Sequence, residues 1–84
     1  MRRGSLGERI YIWRRRRGMT QRELAARVEI NRVSLSRIER GETENIAADT
    51  IRKLAQALKV KTDYLHGLID EEDAEADYRL AEVG

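Results

Sequence analysis

The sequence predicts an all-α domain of five helices, and three features support this. The chain has 84 residues, which is room for one domain. It contains no proline that would interrupt a helix, and its apolar residues recur at three- and four-residue spacing. Residues that favour helix caps stand before these segments, and glycines stand behind several of them. We therefore expect a compact helical domain over residues 1–69 and a separate tail over residues 70–84.

The first helix is predicted to follow Ser5, with Glu8 completing a capping-box arrangement, and to end near Gly18. Its inner face is apolar and consists of Leu6, Ile10 and Trp13. Residues at this spacing share one side of a helix, so we expect this side to face the core.

The second helix is predicted to begin after Thr20, with Glu23 completing another capping box, and the third to begin after Asn31. The turn between them, at residues 29–30, is too short for antiparallel helices. The two helices should therefore cross steeply as a helix-turn-helix unit over about residues 20–40. Their predicted buried residues are Leu24, Ala25, Val28, Ile30, Leu35 and Ile38.

The fourth helix is predicted to start near Ala48, and Thr62 should open the fifth. Their apolar residues are Ile51, Leu54, Ala55, Leu58, Tyr64, Leu65, Leu68 and Ile69. The remaining segment, residues 70–84, is rich in carboxylates and has little to bury. We expect it to be an acidic tail that is disordered or weakly helical.

Charge is distributed unevenly along the chain. Residues 1–40 hold twelve arginines and four glutamates, a net charge of +8, and residues 41–84 hold five basic and eleven acidic side chains, a net charge of −6. This pattern is typical of a nucleic-acid-binding face opposed to a solvent face. A helical domain with a random charge gradient would explain it equally. Fourteen of the seventeen basic residues are arginine, which suits contacts to phosphate and guanine, but a GC-rich coding sequence would explain that preference at least equally.

The composition argues against an enzyme. The chain has no cysteine and a single histidine, His66, which leaves no thiol chemistry, no histidine pair for a metal and no base for a nucleophile. We therefore predict no catalytic residues, no metal site and no cofactor. No apolar run approaches the roughly 20 residues of a membrane span, and we expect a soluble, cytoplasmic protein that does not bind membranes.

The outer face of the third helix is the candidate functional surface. It carries arginine, serine and one small apolar residue, side chains that can enter a major groove and contact base edges. The residues on this face are Arg32, Val33, Ser34 (in part), Ser36, Arg37 and Arg40.

The segment from Leu6 to Leu68 resembles the phage-repressor-type helix-turn-helix family, also called Cro/C1 or XRE. The matching motifs are Gly7-Glu8-Arg9-Ile10, Trp13-Arg14, Gly18-Met19-Thr20-Gln21, Leu24-Ala25, Leu35-Ser36-Arg37-Ile38-Glu39-Arg40-Gly41, Leu54-Ala55-Gln56-Ala57-Leu58 and Tyr64-Leu65. The resemblance implies a lambda-repressor-like domain that binds specific double-stranded DNA and regulates transcription, most simply as a repressor. It also implies a homodimer on a palindromic operator.

The resemblance assigns roles by position. The implied base contacts are Arg32, Val33, Ser34 and Arg37. The implied phosphate contacts are Gln21, Arg22, Asn31 and Arg40, of which Asn31 should also cap the third helix. Arg14 and Glu39 match a structural ion pair between the first helix and the end of the third. For the dimer we expect a symmetric contact through Leu65, Leu68 and Ile69, joined by Tyr78 and Leu80.

The sequence departs from the family pattern at two places. Glu29 stands where the turn usually has glycine, so either Glu29 adopts a positive φ or the turn differs. The loop after Gly41 reads Glu42-Thr43-Glu44 where basic residues are usual. Either this loop tilts away from DNA and offers only backbone amides and Asn45, which we favour, or affinity is modest and strongly salt-dependent.

A protein-interaction role is the alternative function. In it the helical domain would be an antitoxin-like or adaptor scaffold, and the tail over residues 70–84 would bind a protein partner. The same tail could instead cover the basic face of its own domain and lower non-specific DNA binding.

Overall fold

The structure, a computed structural model, describes residues 5–43 and 45–76. Five α-helices make up most of this part of the chain, as the sequence predicts. They are α1 (Leu6–Arg16), α2 (Gln21–Arg27), α3 (Arg32–Glu39), α4 (Ala48–Leu58) and α5 (Thr62–Leu65), and a 3-10 turn follows at Glu71–Asp73.

Side-chain caps fix where the first three helices begin. Ser5 accepts a hydrogen bond from the Glu8 amide at 3.1 Å, and Asn31 accepts one from the Ser34 amide at 2.7 Å. Thr20 and Glu23 form the reciprocal capping box, and the hydrogen bond that the Thr20 amide donates to Glu23 lowers the pKa of that carboxyl. Each cap satisfies an amide that the helix leaves unpaired, a contribution of about 1 kcal/mol. The three predicted starts are confirmed.

The core lies where all five helices meet. Trp13 of α1 stands edge-on to Tyr64 of α5, with ring centroids 6.1 Å apart. The remaining buried apolar side chains are Ile10, Leu24, Ala25, Val28, Leu35, Ile38, Ile51, Leu54, Ala55, Leu58, Val60, Leu65 and Ala74. Because α3 contributes Leu35 and Ile38 to this core, its opposite side faces solvent.

Helices α1 and α3 approach each other closely at Gly7. A Cβ atom placed on Gly7 would lie 2.1 Å from the carbonyl oxygen of Ile38 and 2.9 Å from that of Glu39. Only a residue without a side chain allows this contact, so Gly7 sets the distance between α1 and the C-terminal end of α3.

The turn between α2 and α3 requires a left-handed residue. Glu29 has a φ of 61°, the conformation that glycine adopts most easily. Its carboxylate lies 3.0 Å from Nζ of Lys53 on α4, which ties the turn to that helix. Glu29 therefore keeps the turn geometry that the family usually obtains with glycine, at a backbone cost of about 1–2 kcal/mol.

The expectation of a tail with little to bury is wrong for residues 70–76. Ala74 is fully buried, and its carbonyl accepts a hydrogen bond from the Lys61 amide at 2.8 Å. The Ala76 amide donates to the Lys59 carbonyl at 3.1 Å, and Val60 and Glu75 form an antiparallel β-bridge. The segment packs because the backbone after α4 offers it free hydrogen-bonding groups.

The expected dimer contact needs a correction at Leu65. This residue is fully buried in the core, so it cannot reach a second copy. Helix α5 has only four residues, and Gly67 with a φ of 79° follows it. Leu68 is consequently 72% exposed and Ile69 is half-buried. The other expected contacts, Tyr78 and Leu80, lie outside the described residues.

Gly7→Ala tests the close approach of α1 and α3. In an exposed helix this change stabilises by about 1 kcal/mol, because alanine has the higher helix propensity. Here the new methyl group meets backbone that cannot rotate away, and we expect a loss of about 3 kcal/mol, measured by urea unfolding. Gly18→Ala is the control: it has open space and only the strain of a φ of 69°, so it should lose about 1 kcal/mol. A Gly7→Ala protein as stable as the parent would contradict the close approach.

A candidate nucleic-acid interface on helix α3

The outer face of α3 is open to solvent. Arg32, Val33 and Arg37 are exposed, Val33 by 49%, while Ser34 and Ser36 are half-buried at the edges of the face. The inward side is held by buried residues, so the outward side is fixed in direction. This orientation is the condition that base reading by α3 requires, and the structure meets it.

Asn31 stands at the N-terminal edge of this face. Its side-chain oxygen caps α3 by accepting from the Ser34 amide. The side-chain nitrogen still has hydrogens to donate, since an asparagine amide carries an acceptor and two donor hydrogens. Capping and a contact to an anion are thus compatible at this residue.

Arg14 and Glu39, the two predicted ion-pair partners, are brought together in the interior. Nε of Arg14 lies 2.7 Å from one carboxylate oxygen of Glu39, and Nη2 lies 3.1 Å from the other. Nη1 donates to the Met19 carbonyl at 2.9 Å. The two side chains are only 9% and 3% exposed. Water therefore screens the pair little, and its geometry is bidentate, the arrangement that best compensates for burying charge.

Gln21 joins this buried pair to the start of α2. Its side-chain nitrogen donates to Oε1 of Glu39 at 3.0 Å. The resemblance to the helix-turn-helix family implies a phosphate contact for Gln21, but it does not indicate the bond to Glu39. One amide hydrogen is engaged, and the second remains to donate to a phosphate oxygen. Glu39 thus orients Gln21 as well as Arg14.

The arginines around the interface fall into two groups. Arg22, Arg32 and Arg37 are exposed and have no carboxylate partner within the described residues. Arg40 lies 3.1 Å from Glu42, and both side chains are more than half exposed. The predicted phosphate contact of Arg40 would therefore compete with a nearby carboxylate, while the other three arginines present uncompensated charge.

Arg17 has a structural function that the sequence did not reveal. Its Nε donates to the Leu58 carbonyl at 2.7 Å, and Nη2 donates to the Lys59 carbonyl at 3.2 Å. These carbonyls end α4, where Lys59 has a left-handed φ of 58°. Arg17 ends a run of four consecutive arginines, and nothing in that run marks which of them caps another helix.

Other kinds of site find no support in the described part of the chain. It contains no group of three or more histidine, cysteine, aspartate or glutamate side chains that could hold a metal ion. None of its helices is long and apolar enough to cross a membrane. His66 is exposed at the end of α5.

Arg14→Met tests how much the domain depends on the buried pair. The substitution strands the Glu39 carboxylate in the interior, and we expect a loss of about 3–5 kcal/mol in the free energy of unfolding, measured by denaturant titration. Arg15→Met, an exposed neighbour, should change it by less than about 1 kcal/mol. Adding Glu39→Leu to Arg14→Met removes the stranded charge and should recover much of the loss. Equal effects of Arg14→Met and Arg15→Met would refute this role.

Comparison with known proteins agrees with this architecture. A family model described as Helix-turn-helix matches residues 10–65. The HTH-type transcriptional regulator ImmR of Bacillus subtilis (strain 168) is 40% identical over 63 residues, which are 75% of this chain and 49% of ImmR. The chain thus spans about half the length of this relative.

Two similar solved structures contain DNA. The P22 c2 repressor in complex with a synthetic operator is 34% identical, with a TM-score of 0.68 over 73% of this chain and 91% of that one. SinR, a Bacillus subtilis regulator described as the master regulator for biofilm formation, is 30% identical in its complex with DNA, with a TM-score of 0.69 over 73% of this chain and 97% of that one. The extent of the family match, together with these relatives, identifies the chain as a member of the phage-repressor-type (Cro/C1, XRE) helix-turn-helix family of transcriptional regulators.

Proposed function

We propose that this chain binds a specific double-stranded DNA sequence with α3 in the major groove and thereby represses transcription. The observation that carries the proposal is the outer face of α3, where Arg32 and Arg37 are exposed and unpaired within the described residues. Membership of a family of DNA-binding regulators, and not of enzymes, supports the same function. The proposed DNA-binding function also implies that the protein is located in the cytoplasm.

Direct base reading is assigned to the exposed face of α3. Arg32 and Arg37 are five residues apart, about 7.5 Å along the helix axis, whereas successive base pairs are about 3.4 Å apart, so the two arginines can reach different base pairs. Each can contact N7 and O6 of a guanine in bidentate fashion. Val33 can pack on a thymine methyl, and Ser34 lies beside it at the N-terminal end of α3, the end that enters the groove in this class of protein.

Phosphate contacts are assigned to residues around that face. They would fix the position of α3 on DNA without reading sequence. Gln21 has one amide hydrogen left for a phosphate, Arg22 is exposed beside it, and Asn31 stands at the start of α3. Arg40 can contribute if a phosphate displaces Glu42 from it.

Operator selection and alanine variants test the base contacts. Selection from a random DNA pool should return a defined sequence, which then serves as the probe. Arg32→Ala or Arg37→Ala should weaken binding to that operator about 5- to 150-fold, corresponding to about 1–3 kcal/mol per lost bidentate contact. Arg22→Ala should instead weaken binding to all DNA alike and reduce the log–log salt slope by about 0.9.

Arg27→Ala is the matched control for these variants. It removes one exposed arginine from α2, outside the assigned contacts, and should leave operator affinity nearly unchanged. Recovery of no preferred sequence by the parent protein, or equal losses in Arg27→Ala and in both α3 variants, would reject the proposed reading by α3.

The homodimer expected from the family is proposed to form beside α5. Leu68 is the most exposed large apolar side chain of the described residues. Its neighbours Gly67 and Ile69 line a groove that is apolar at Ile12 and Tyr64 and charged at Glu8, Arg9, Asp70 and Glu71. An exposed leucine beside a partly apolar groove can be shared by two copies about a two-fold axis. The operator would then be a palindrome with half-sites about one helical turn apart.

Leu68→Glu tests this dimer. Placing a carboxylate at the proposed contact should abolish the two-to-one protein–operator complex seen by analytical ultracentrifugation, while the exposed position leaves the fold intact. Lys61→Glu is the control. It changes the charge at an exposed position by two units, against one unit for Leu68→Glu, and it should leave the two-to-one complex in place. A parent protein that stays monomeric both free and on its operator would rule the dimer out.

The alternative function, in which the acidic tail binds a protein partner, has less support and stays a prediction. Residues 70–76 dock on their own domain, so two of their carboxylates already have arginine partners. The rest of the tail lies outside the described residues. We therefore place DNA binding first.

A further inference from the structure

The acidic segment, residues 70–76, has the charge of a short polyanion. It carries five carboxylates and no basic side chain: Asp70, Glu71, Glu72, Asp73 and Glu75. In the structure it lies against the C-terminal end of α1 and the chain that follows α4. Glu71 is 3.1 Å from Arg16, and Glu75 is 3.2 Å from Arg17.

The two arginines form a preorganised cationic pair. Their guanidinium groups lie 4.8 Å and 4.9 Å from the ring centroid of Trp13, whose own position is fixed in the core. Arg17 is held further by the carbonyls at the end of α4. A pair of guanidinium groups fixed in this way is suited to bind phosphate oxygens as readily as carboxylates.

Backbone contacts determine which carboxylates reach this pair. The bonds from Lys61 to Ala74 and from Ala76 to Lys59, with the burial of Ala74, fix the register of the segment. The ion pairs contribute little to the docking. The side chains are 48% and 52% exposed in the Arg16–Glu71 pair and 25% and 66% exposed in the Arg17–Glu75 pair, and exposed pairs contribute about 0–1 kcal/mol. The main effect of these ion pairs is therefore on the charge of the surface and not on stability.

A comparison of the Arg16–Arg17 pair with the α3 interface suggests what these ion pairs do. Arg32 and Arg37, the predicted base-reading arginines of α3, lack carboxylate partners within the described residues, whereas both members of the Arg16–Arg17 pair have one. At physiological salt, charges are screened beyond about 8 Å, so only a carboxylate in near contact neutralises an exposed arginine. Without the segment, Arg16 and Arg17 would add a second cationic surface for DNA phosphates.

We propose that the acidic segment occupies the Arg16–Arg17 pair in place of nucleic acid and so confines DNA to the α3 interface. The contact is an internal decoy: it lowers non-specific, phosphate-only binding and leaves operator reading untouched. This inference rests on the proposed DNA-binding function, because it concerns how that binding is restricted.

The double variant Glu71→Gln, Glu75→Gln in the full chain tests the decoy. It removes the carboxylate partner of both arginines while keeping the size of the side chains and the backbone contacts. The probes are heparin and a short mixed-sequence duplex that lacks the operator. We expect elution from heparin at higher salt, and a log–log salt slope for the duplex that is steeper by about 1.8, the value for two additional phosphate contacts. Operator affinity at fixed salt should change far less than non-specific affinity.

The matched control is Glu72→Gln, Asp73→Asn, the same charge change in the same segment at two residues without an arginine partner in the described structure. This control should steepen the log–log salt slope for the duplex by less than half as much as Glu71→Gln, Glu75→Gln does. Equal effects of the two double variants would show that net charge alone acts, and no effect of either would show that the pair does not bind polyanions. Both results overturn the proposal.

A third substitution locates the effect. Arg16→Gln added to Glu71→Gln, Glu75→Gln should remove about half of the gain in slope, because one of the two phosphate contacts is lost. Retention of the full gain would overturn the assignment to this pair. The heparin result does not depend on sequence reading, so a failure of the decoy is distinguishable from a failure of the proposed operator binding.

Discussion

The placement of α3 depends on the buried pair of Arg14 and Glu39. Burying two charges is costly, and here the cost is offset by a bidentate contact at 2.7 Å and 3.1 Å and by further bonds to the Met19 carbonyl and Gln21. These bonds connect α1, the loop that follows it, the first residue of α2 and the last residue of α3. Three of these four bonds end on the Glu39 carboxylate, so a shift of α1 or α3 would break at least two of them and a shift of α2 would break one.

Local signals in the sequence were sufficient for much of the fold. Caps at Ser5, Thr20 and Asn31 act within one helical turn, so the residue types alone locate them. The burial of Ala74 had no such signal, because a single alanine among carboxylates has no periodicity. Leu65 and Leu68 looked alike in sequence, and only the early end of α5 separates a core residue from an exposed one. Where an outcome depended on which distant backbone groups were free, the sequence could not predict it.

The candidate site also combines features that the sequence predicts with features that it does not. The outward face of α3 follows from helical periodicity, and the partners Arg14 and Glu39 follow from resemblance to a family. The bond between Gln21 and Glu39 and the cap that Arg17 supplies to α4 follow from neither, because both link elements that are distant in sequence. The sequence shows the charge asymmetry, +8 in residues 1–40 against −6 in residues 41–84, but it does not show which of these charges lie close together in the fold. Part of the acidic half folds back onto part of the basic half, so only some of the arginines remain uncompensated.

The two sides of helix α3 have different functions: one packs against the core, and the other is the proposed DNA-binding surface. Leu35, Ile38 and Glu39 hold the helix in place, and the close contact with Gly7 fixes its depth. On the outward side, Arg32, Val33 and Arg37 are exposed and make no ion pair or side-chain hydrogen bond with the described residues. Substitutions on the outward side can therefore accumulate without loss of folding free energy. A lineage of such proteins could acquire new target sequences one residue at a time, each intermediate remaining a folded protein, and this separation offers a physical reason why one scaffold can serve many regulatory circuits.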